Sequence, residues 1–470
     1  MKLYNSLTKS KDDFITNEPN VVRMYTCGPT VYHYAHIGNL RTYIMEDVLE
    51  KYLRYAGYDV KRVMNITDVG HLTSDADTGD DKMLSGAKRE KKTVMEIAQY
   101  YTDAFFDDCD KLNIRKPDVI VPATSCIDGF IDAVVKLLDK GAAYIAGGNI
   151  YFDTSTLKEY YVFNKQDEDE LVTGAREGVE EDENKRNKTD FVLWFTKSKF
   201  DDQELKWESP WGMGYPGWHI ECSVISLQHL GEHLDIHCGG IDNAFPHHTN
   251  EIAQTEALVG HKWCNFWFHA MHLNTDGAKM SKSSGEFLTV SLLESKGYDP
   301  LAYRYFCLQS HYRKSLAFSF ENLDNAATAY TKLITRVAAL EPTGEVDDAA
   351  LELLRGSFRA AMDNDINTSL GVTALYDVLK ADISDAAKLQ LIAEFDEVLS
   401  LNLIAAAEVL RGGESTSTDP DAGKIEALIA ERTEVRKAKN WARADEIRDE
   451  LTAMGIVVED TPEGAKWKRV

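Results

Sequence analysis

Two widely separated stretches carry donors suited to phosphate. His36-Ile37-Gly38-Asn39 sets an imidazole and an amide around a glycine that lets the backbone come close to a ligand. Lys279-Met280-Ser281-Lys282-Ser283, preceded by Asp276-Gly277, puts two lysines and two serines in a compact loop fit for a polyphosphate. Each alone also reads as an ordinary turn, a solvated histidine in one case and a solvated basic loop in the other. Together they weigh for a nucleotide.

A second group holds the residue types that zinc takes. His247 and Glu251 stand four apart in a helical pattern, so both project from one face. Cys222 lies upstream of them, and Cys27 lies in the opening stretch Thr26-Cys27-Gly28-Pro29-Thr30. Thiolate, imidazole and carboxylate are zinc ligands. Spacing alone leaves His237 and His248 as rivals, no Cys-x-x-Cys occurs, and a lone buried cysteine is often only core.

The elements that must position these residues follow from periodicity. Val21 to Tyr25 reads as a buried strand. Leu40, Ile44 and Val48 recur at helical spacing, and Gly57 stands where that helix would end. Val60 to Ile66 is a second strand, which completes a βαβ unit whose first turn is the preferred nucleotide site. Thr93 to Glu96 is a capping box that opens a long helix, and Val119 to Val121 is strand-like. Residues 143–152 form a hairpin around Gly147-Gly148, and the highly charged residues 165–189 read as an excursion. Leu234 to His237 is a strand ending in Cys238-Gly239-Gly240-Ile241-Asp242. A helix from His247 to Leu258 follows, then a strand from Asn265 to His269. Leu301 to Leu308 and Leu323 to about Leu410 are helical, Arg411 to Pro420 is a linker, and Lys424 to Val470 reads as two amphipathic helices and two short strands.

The expected fold is therefore α/β: a Rossmann-type doubly wound parallel sheet with an inserted segment, followed by a helical bundle and a small C-terminal α+β domain. The boundaries fall at 1–115 and 207–262 for the two halves of the catalytic sheet, with the inserted segment at 116–206. A lysine-loop junction occupies 263–320, the bundle 321–410, the linker 411–423 and the small domain 424–470.

Composition narrows the class. The chain has 470 residues, 44% hydrophobic and 27% charged, as a globular protein does. No apolar run approaches the roughly 20 residues that span a membrane, and the N-terminus shows no signal-peptide core, so a cytoplasmic address is expected. Seven thinly spread cysteines argue for reduced thiols. A net charge of −25 demands that any nucleic-acid face be local. Candidate patches are Lys88-Arg89 with Lys91-Lys92, Lys185-Arg186 with Lys188, and Arg436-Lys437 with Lys439 and Arg443. Asp68 to Asp81 reads as an acidic surface loop.

The His36–Asn39 and Lys279–Ser283 stretches resemble the paired signatures of class I aminoacyl-tRNA synthetases. Asn39 departs from the histidine that usually ends the first one; an amide still donates to phosphate but carries no charge. With Thr26 to Tyr32, Gly217-Trp218-His219-Ile220-Glu221-Cys222 and His247 to Glu251, the whole chain resembles the cysteinyl-tRNA synthetase family. That resemblance implies a zinc ion on Cys27, Cys222, His247 and Glu251 that recognises the cysteine thiol. It implies an amino-acid pocket including Thr67 and Trp218, and an ATP site of His36, Gly38, Asn39, Gly239, Gly240, Asp242 and Lys282. His36, Asn39, Lys279 and Lys282 would stabilise the transferring phosphate, with Mg²⁺ accompanying ATP. The tail resembles the family's anticodon-binding domain, where Arg436, Lys437 and Trp467 are candidate contacts to the cysteine tRNA. A monomer is expected. Two other readings share the motifs: a ligase of low-molecular-weight thiol synthesis, and a non-catalytic zinc-containing tRNA-binding protein. A truncation before Gly412 would separate the first from a tRNA ligase.

Overall fold

A computed structural model describes residues 1–68, 93–163, 182–197, 205–275, 278–279, 287–414, 422–437, 441–454, 456–461 and 464–469. The chain divides into two units, Met1–Ile404 and Ala405–Val470.

The first unit opens with a small antiparallel pair, β1 (Lys2–Asn5) and β2 (Ser10–Asp13). Then come β3 (Val21–Thr26), α1 (Ile37–Tyr55), β4 (Asp59–Ile66), α2 (Val94–Lys111), β5 (Val119–Pro122) and α3 (Ile127–Asp139). An antiparallel sheet follows, made of β6 (Ala143–Ala146), β7 (Asn149–Phe152), β8 (Phe191–Phe195) and β9 (Tyr215–Pro216). The chain returns through α4 (Trp218–Leu230), β10 (Leu234–Gly240), α5 (His247–Val259) and β11 (Cys264–Ala270). Next are β12 (Leu273–Thr275), β13 (Ala278–Lys279), α6 (Val290–Ser295), α7 (Pro300–Leu308) and β14 (Leu316–Phe318). Helices α8 (Phe320–Ala338), α9 (Asp348–Asp363), α10 (Thr368–Lys380) and α11 (Asp385–Leu399) form the helical region, and α12 (Leu403–Glu414) begins at its end and continues into the second unit.

The central sheet has the order β11-β10-β3-β4-β5, with every neighbouring pair parallel. Its strands are covered on both faces, so β10 is buried from Leu234 to Gly239 without alternation. The chain builds outward from β3 to β4 and β5, then crosses back to lay β10 on the other side of β3. The strand order therefore reverses between β3 and β10, and the crevice beyond their carboxyl ends is where such sheets take ligands.

Helix α1 lies in this packing with more than an apolar stripe. Leu40, Ile44, Val48, Leu49 and Leu53 are buried, and so are Glu46, Asp47 and Glu50. Those acids meet buried cations: Arg62 lies 3.5 Å from Glu46 and 3.2 Å from Glu50, and Arg304 lies 2.6 Å from Asp47. Helix α1 can be buried on its polar side only because these charges pair.

The observed elements shift the expected boundaries. Strand β5, assigned by composition to the insertion at 116–206, is an edge of the central sheet. Strand β9 and the Trp207–Gly214 bridge, placed after the insertion, belong with the antiparallel sheet. The central fold resumes at Trp218 and runs through β11 to Ala270 rather than stopping at 262. Short strands take their sheet from their pairing partner, which composition does not encode. The linker expected at 411–423 is also narrower, because α12 continues through Glu414 and the next helix begins at Ala422.

In the second unit, α13 (Ala422–Lys437) and α14 (Trp441–Ala453) pack through Ile425, Leu428, Ile429, Ile447 and Leu451. Strands β15 (Ile456–Thr461) and β16 (Gly464–Arg469) form an antiparallel hairpin against them. Among the described residues no helix is long and apolar enough to cross a membrane.

Candidate active site and metal centre

The crevice between β3 and β10 holds a cavity of about 320 Å³. Cys27 enters it because it directly follows β3, and Gly239 and Gly240 enter as the last residues of β10. The N-terminal turn of α1 supplies His36, Gly38 and Asn39, the first turns of α4 supply Trp218 and Cys222, and α5 supplies His247. Thr67, Asp242, Met271, His272 and Leu273 also line it.

The chain crosses itself tightly to make this crevice. A Cβ on Gly28 would lie 1.6 Å from the backbone oxygen of Asn65, so only glycine allows the turn after β3 to pass β4. The Asn65 side chain then holds that turn. Its Oδ1 accepts from the Gly28 N–H at 2.8 Å and from the Tyr25 hydroxyl at 3.1 Å, while its Nδ2 donates to Thr67 Oγ1 at 3.1 Å. The Thr67 hydroxyl donates to Glu221 at 2.9 Å.

His36 is the N-cap of α1, and its Nδ1 accepts from the Asn39 N–H at 3.1 Å. That bond places the proton of the neutral ring on Nε2, a donor at the positive end of the helix. Asn39 is exposed beside it. Asp242 does not cap α5, whose N-cap is Pro246; it sits half-exposed at the cavity, 4.0 Å from His272 Nδ1.

Deeper in, four ligand types converge. Cys27 and Cys222 have their sulfurs 3.9 Å apart. His247 Nε2 lies 3.5 Å from Cys222 Sγ and 3.0 Å from Glu251 Oε1, which is 4.0 Å from Cys27 Sγ. A zinc tetrahedron with Zn–S near 2.3 Å and Zn–N near 2.0 Å has edges of roughly 3.3–3.8 Å, close to this set. All four residues are buried, and burial followed by the nearby Cys222 pushes the Cys27 thiol well up. Two thiols and a carboxylate so close together call for a cation, so the donor set fits zinc. His247 Nδ1 meets His219 Nδ1 at 2.9 Å, an outer partner that fixes the ring with Nε2 toward the cluster. Trp218 stacks on His247 at 4.5 Å between ring centroids.

Cys27, His237, His248 and Glu251 make a second compact set. The cavity distinguishes the two sets. Cys222 and His247 line it, whereas His237 is paired with Glu251 at 2.8 Å behind it and His248 is bonded to His269 at 2.8 Å.

The structure thus brings together Cys27, His36, Gly38, Asn39, Thr67, Trp218, Cys222, Gly239, Gly240, Asp242 and His247, with Glu251 immediately behind them. Lys279 lies on β13, in register with Asn274. Lys282, Lys88-Arg89, Lys91-Lys92, Arg436's neighbour Lys439, and the loop from 69 to 81 lie outside the described residues. Arg436 and Lys437 end α13 and Trp467 lies on β16, all in the second unit. Residue types alone did not single out Asn65 or His219. The available signal was one amide, Asn65, within the apolar run from Val63 to Ile66 that ends β4.

Comparison with known proteins agrees with this geometry. Residues 13–328 match the family described as tRNA synthetases class I (C) catalytic domain, and residues 422–467 match the cysteinyl-tRNA ligase anticodon binding domain. The cysteine–tRNA ligase of Treponema denticola is 44% identical, with 100% of both chains covered. That of Brevibacillus brevis is 43% identical, covering 100% of this chain and 99% of its own. Among solved structures, methionyl-tRNA synthetase of Mycobacterium tuberculosis with methionyl-adenylate aligns at TM-score 0.53 and 18% identity, covering 87% of this chain and 94% of its own. A ternary complex of Agrobacterium radiobacter LeuRS with tRNA and LeuAMS aligns at TM-score 0.56 and 11% identity, covering 85% and 86%; these two bear on the fold alone. With its catalytic and anticodon-binding segments both matched and its full length shared with such relatives, the chain belongs to the cysteine–tRNA ligase family of class I tRNA synthetases.

Proposed function

We propose that this protein is a cysteine–tRNA ligase in which Cys27, Cys222, His247 and Glu251 hold zinc at the floor of the ATP pocket. The observation that carries the proposal is the shared cavity: two thiols and an imidazole line the same 320 Å³ space as His36, Gly38, Asn39, Gly239, Gly240 and Asp242. A bound zinc would supply a soft Lewis acid that favours a thiol over a hydroxyl. That chemistry exceeds the roughly 10–200-fold by which a bare pocket separates near-isosteres.

The first step joins a cysteine carboxylate oxygen to the α-phosphorus of ATP. The bond between that phosphorus and the bridging oxygen breaks, and pyrophosphate leaves; Mg²⁺ bound with ATP would help offset its charge. No side chain needs to act as a nucleophile; the chain's residues position and neutralise. His36 Nε2 and Asn39 donate to phosphate oxygens, Lys279 and Lys282 offset charge on the leaving pyrophosphate, and Asp242 accepts from ribose hydroxyls. Trp218 walls the amino-acid side, and Thr67, held by Asn65 and Glu221, keeps its shape. In the second step a hydroxyl of the terminal adenosine of tRNA attacks the adenylate carbonyl and AMP leaves. The unit from Ala405 to Val470 would engage the anticodon region of the cysteine tRNA, with Arg436, Lys437 and Trp467 as contacts. The reaction is one of the cytoplasm.

The test is cysteine-dependent ATP–pyrophosphate exchange, with serine as control and Cys222→Ser alongside. Exchange with cysteine alone, lost together with stoichiometric zinc in the variant, is the expected result. Equal exchange with serine, or exchange that persists in the zinc-free variant, would remove the metal from substrate selection.

A further inference from the structure

Arg41 lies on α1, five residues beyond His36, and is fully buried. Its guanidinium donates through Nη1 to the carbonyls of Met271 and His272, the latter at 2.9 Å, and through Nη2 to the carbonyl of Lys314 at 2.7 Å. Among the described residues no carboxylate pairs with it, and burial lowers its pKa. Burying a charge on carbonyls alone is an expensive arrangement, and an apolar side chain would fill the same space at less cost. The ties it makes are therefore of interest beyond stability.

Those ties join the two phosphate-handling stretches. Met271 and His272 line the ATP side of the cavity and lead directly into β12. Strand β12 pairs with β13, where the Lys279–Ser283 stretch begins, and with β14, which Lys314 precedes. The His272 carbonyl also accepts from the Leu316 N–H at 3.1 Å, so it lies at the centre of this junction. On the far side of the lysine stretch, the Ile37 N–H donates to the Leu288 carbonyl at 2.9 Å, and the buried Tyr303 hydroxyl donates to the Ile37 carbonyl at 2.7 Å. Both flanks of the lysine stretch are thus tied to the first turns of the helix that presents His36 and Asn39.

We infer that Arg41 is a positioning residue for ATP: it fixes the spacing between the His36–Asn39 turn and the segment that carries the lysine loop. Tyr303, on α7, braces the same turn by holding the Ile37 peptide whose neighbouring N–H bonds the Leu288 flank. The inference rests on the reading of this cavity as an ATP site. A lysine at position 41 keeps the charge but cannot present a planar fork to carbonyls on two segments at once. The spacing would relax, and misplacement of this order costs phosphate binding and transfer far more than it costs the amino-acid pocket on the other wall.

The experiment uses the full-length, zinc-loaded protein and its Arg41→Lys and Tyr303→Phe variants. ATP and cysteine KM are read from pyrophosphate exchange, ATP Kd from calorimetry, and zinc from metal analysis. For Arg41→Lys the expected result is an ATP KM and Kd raised about tenfold, cysteine KM changed less than about twofold, and zinc content unchanged. Tyr303→Phe moves the same constants in the same direction by about threefold. Unchanged ATP constants in Arg41→Lys overturn the inference, as does a parallel rise in the ATP and cysteine constants, which would mean general loosening. If Arg41→Lys does not fold, Tyr303→Phe decides alone by the same criteria. A wild-type protein that binds ATP without cysteine-dependent exchange would sink the proposed activity, while the Kd comparison would still judge Arg41.

Discussion

Asn39 sits exposed on the first turn of α1, and only its backbone N–H is engaged by the His36 ring. On the proposed reading, removing its side chain takes away a phosphate donor without disturbing the core. Asn39→Ala is expected to lower the pyrophosphate-exchange rate about tenfold with an unchanged unfolding midpoint; a rate within twofold of wild type would show the amide is idle. Gly28 is the opposite case. Any side chain there would overlap the Asn65 backbone, so Gly28→Ala should cost about 3 kcal/mol and lower both stability and zinc content, readable by denaturant titration and metal analysis. The Cys27–Cys222–His247–Glu251 cluster was partly legible in the sequence because His247 and Glu251 share a helix face, and their spacing survives folding. What spacing could not do was choose between Cys222–His247 and His237–His248; that choice depends on which atoms the cavity wall exposes. Asn65 and Arg41 were invisible for a related reason. Arg41's partners are backbone carbonyls of distant segments, and Asn65 holds the Gly28 N–H and the Tyr25 hydroxyl on the neighbouring strand and its turn, pairings that no residue pattern marks.

At the scale of elements, α1, β3, β4, β10, α5 and β11 were readable because long buried strands and a capped helix have strong periodicity. Strands β5 and β9 were misassigned because four and two residues carry almost none, and their sheet is decided by neighbours. Helix α2 carries a buried acid whose cost depends on pH. Burial raises the Asp108 carboxyl from 3.8 to about 7, with Lys111 opposing and Glu294 adding to the shift. In the folded state the group keeps its proton up to about pH 7, whereas the unfolded chain releases it near 3.8. Its contribution is therefore fully present below about pH 4 and is lost as pH rises through 7. Asp108→Asn should raise the unfolding midpoint by about 1–3 °C at pH 8.5 and by less at pH 5.5, measured by scanning calorimetry. An equal gain at both pH values would mean that charge is not the cause. In the helical region, Phe358 and Phe395 stack at 4.2 Å between α9 and α11, both fully buried. Phe358→Ala should cost about 3–5 kcal/mol of stability while exchange per folded molecule stays at the wild-type level.

The whole molecule separates chemistry from recognition. The cavity and its ligands lie within Met1–Ile404, and the segment matching the anticodon-binding family lies within Ala405–Val470, which has its own apolar core. A chain ended after Glu414 keeps α12 whole, unlike one cut before Gly412. Such a chain should retain cysteine-dependent exchange within about threefold and lose at least about a hundredfold in tRNA charging, since bivalent contact with a large substrate multiplies affinity. Comparable losses in both assays would mean the second unit supports the catalytic one. The cysteine cluster carries a last consequence, for the order of events during synthesis. Cys27 and Glu251 are 224 positions apart in the chain, with β6 to β9 made in between. Cys27 leaves the ribosome long before its partners exist, and even when Cys222 joins it, the imidazole and carboxylate are still to come. The first thiol must wait reduced while the antiparallel sheet is made, and the four-residue cluster can close only after α5 has emerged. If the cluster holds zinc as proposed, metal acquisition is a late checkpoint in the birth of the enzyme, and a chain interrupted before residue 247 leaves the two thiols of the cluster without their imidazole and carboxylate partners.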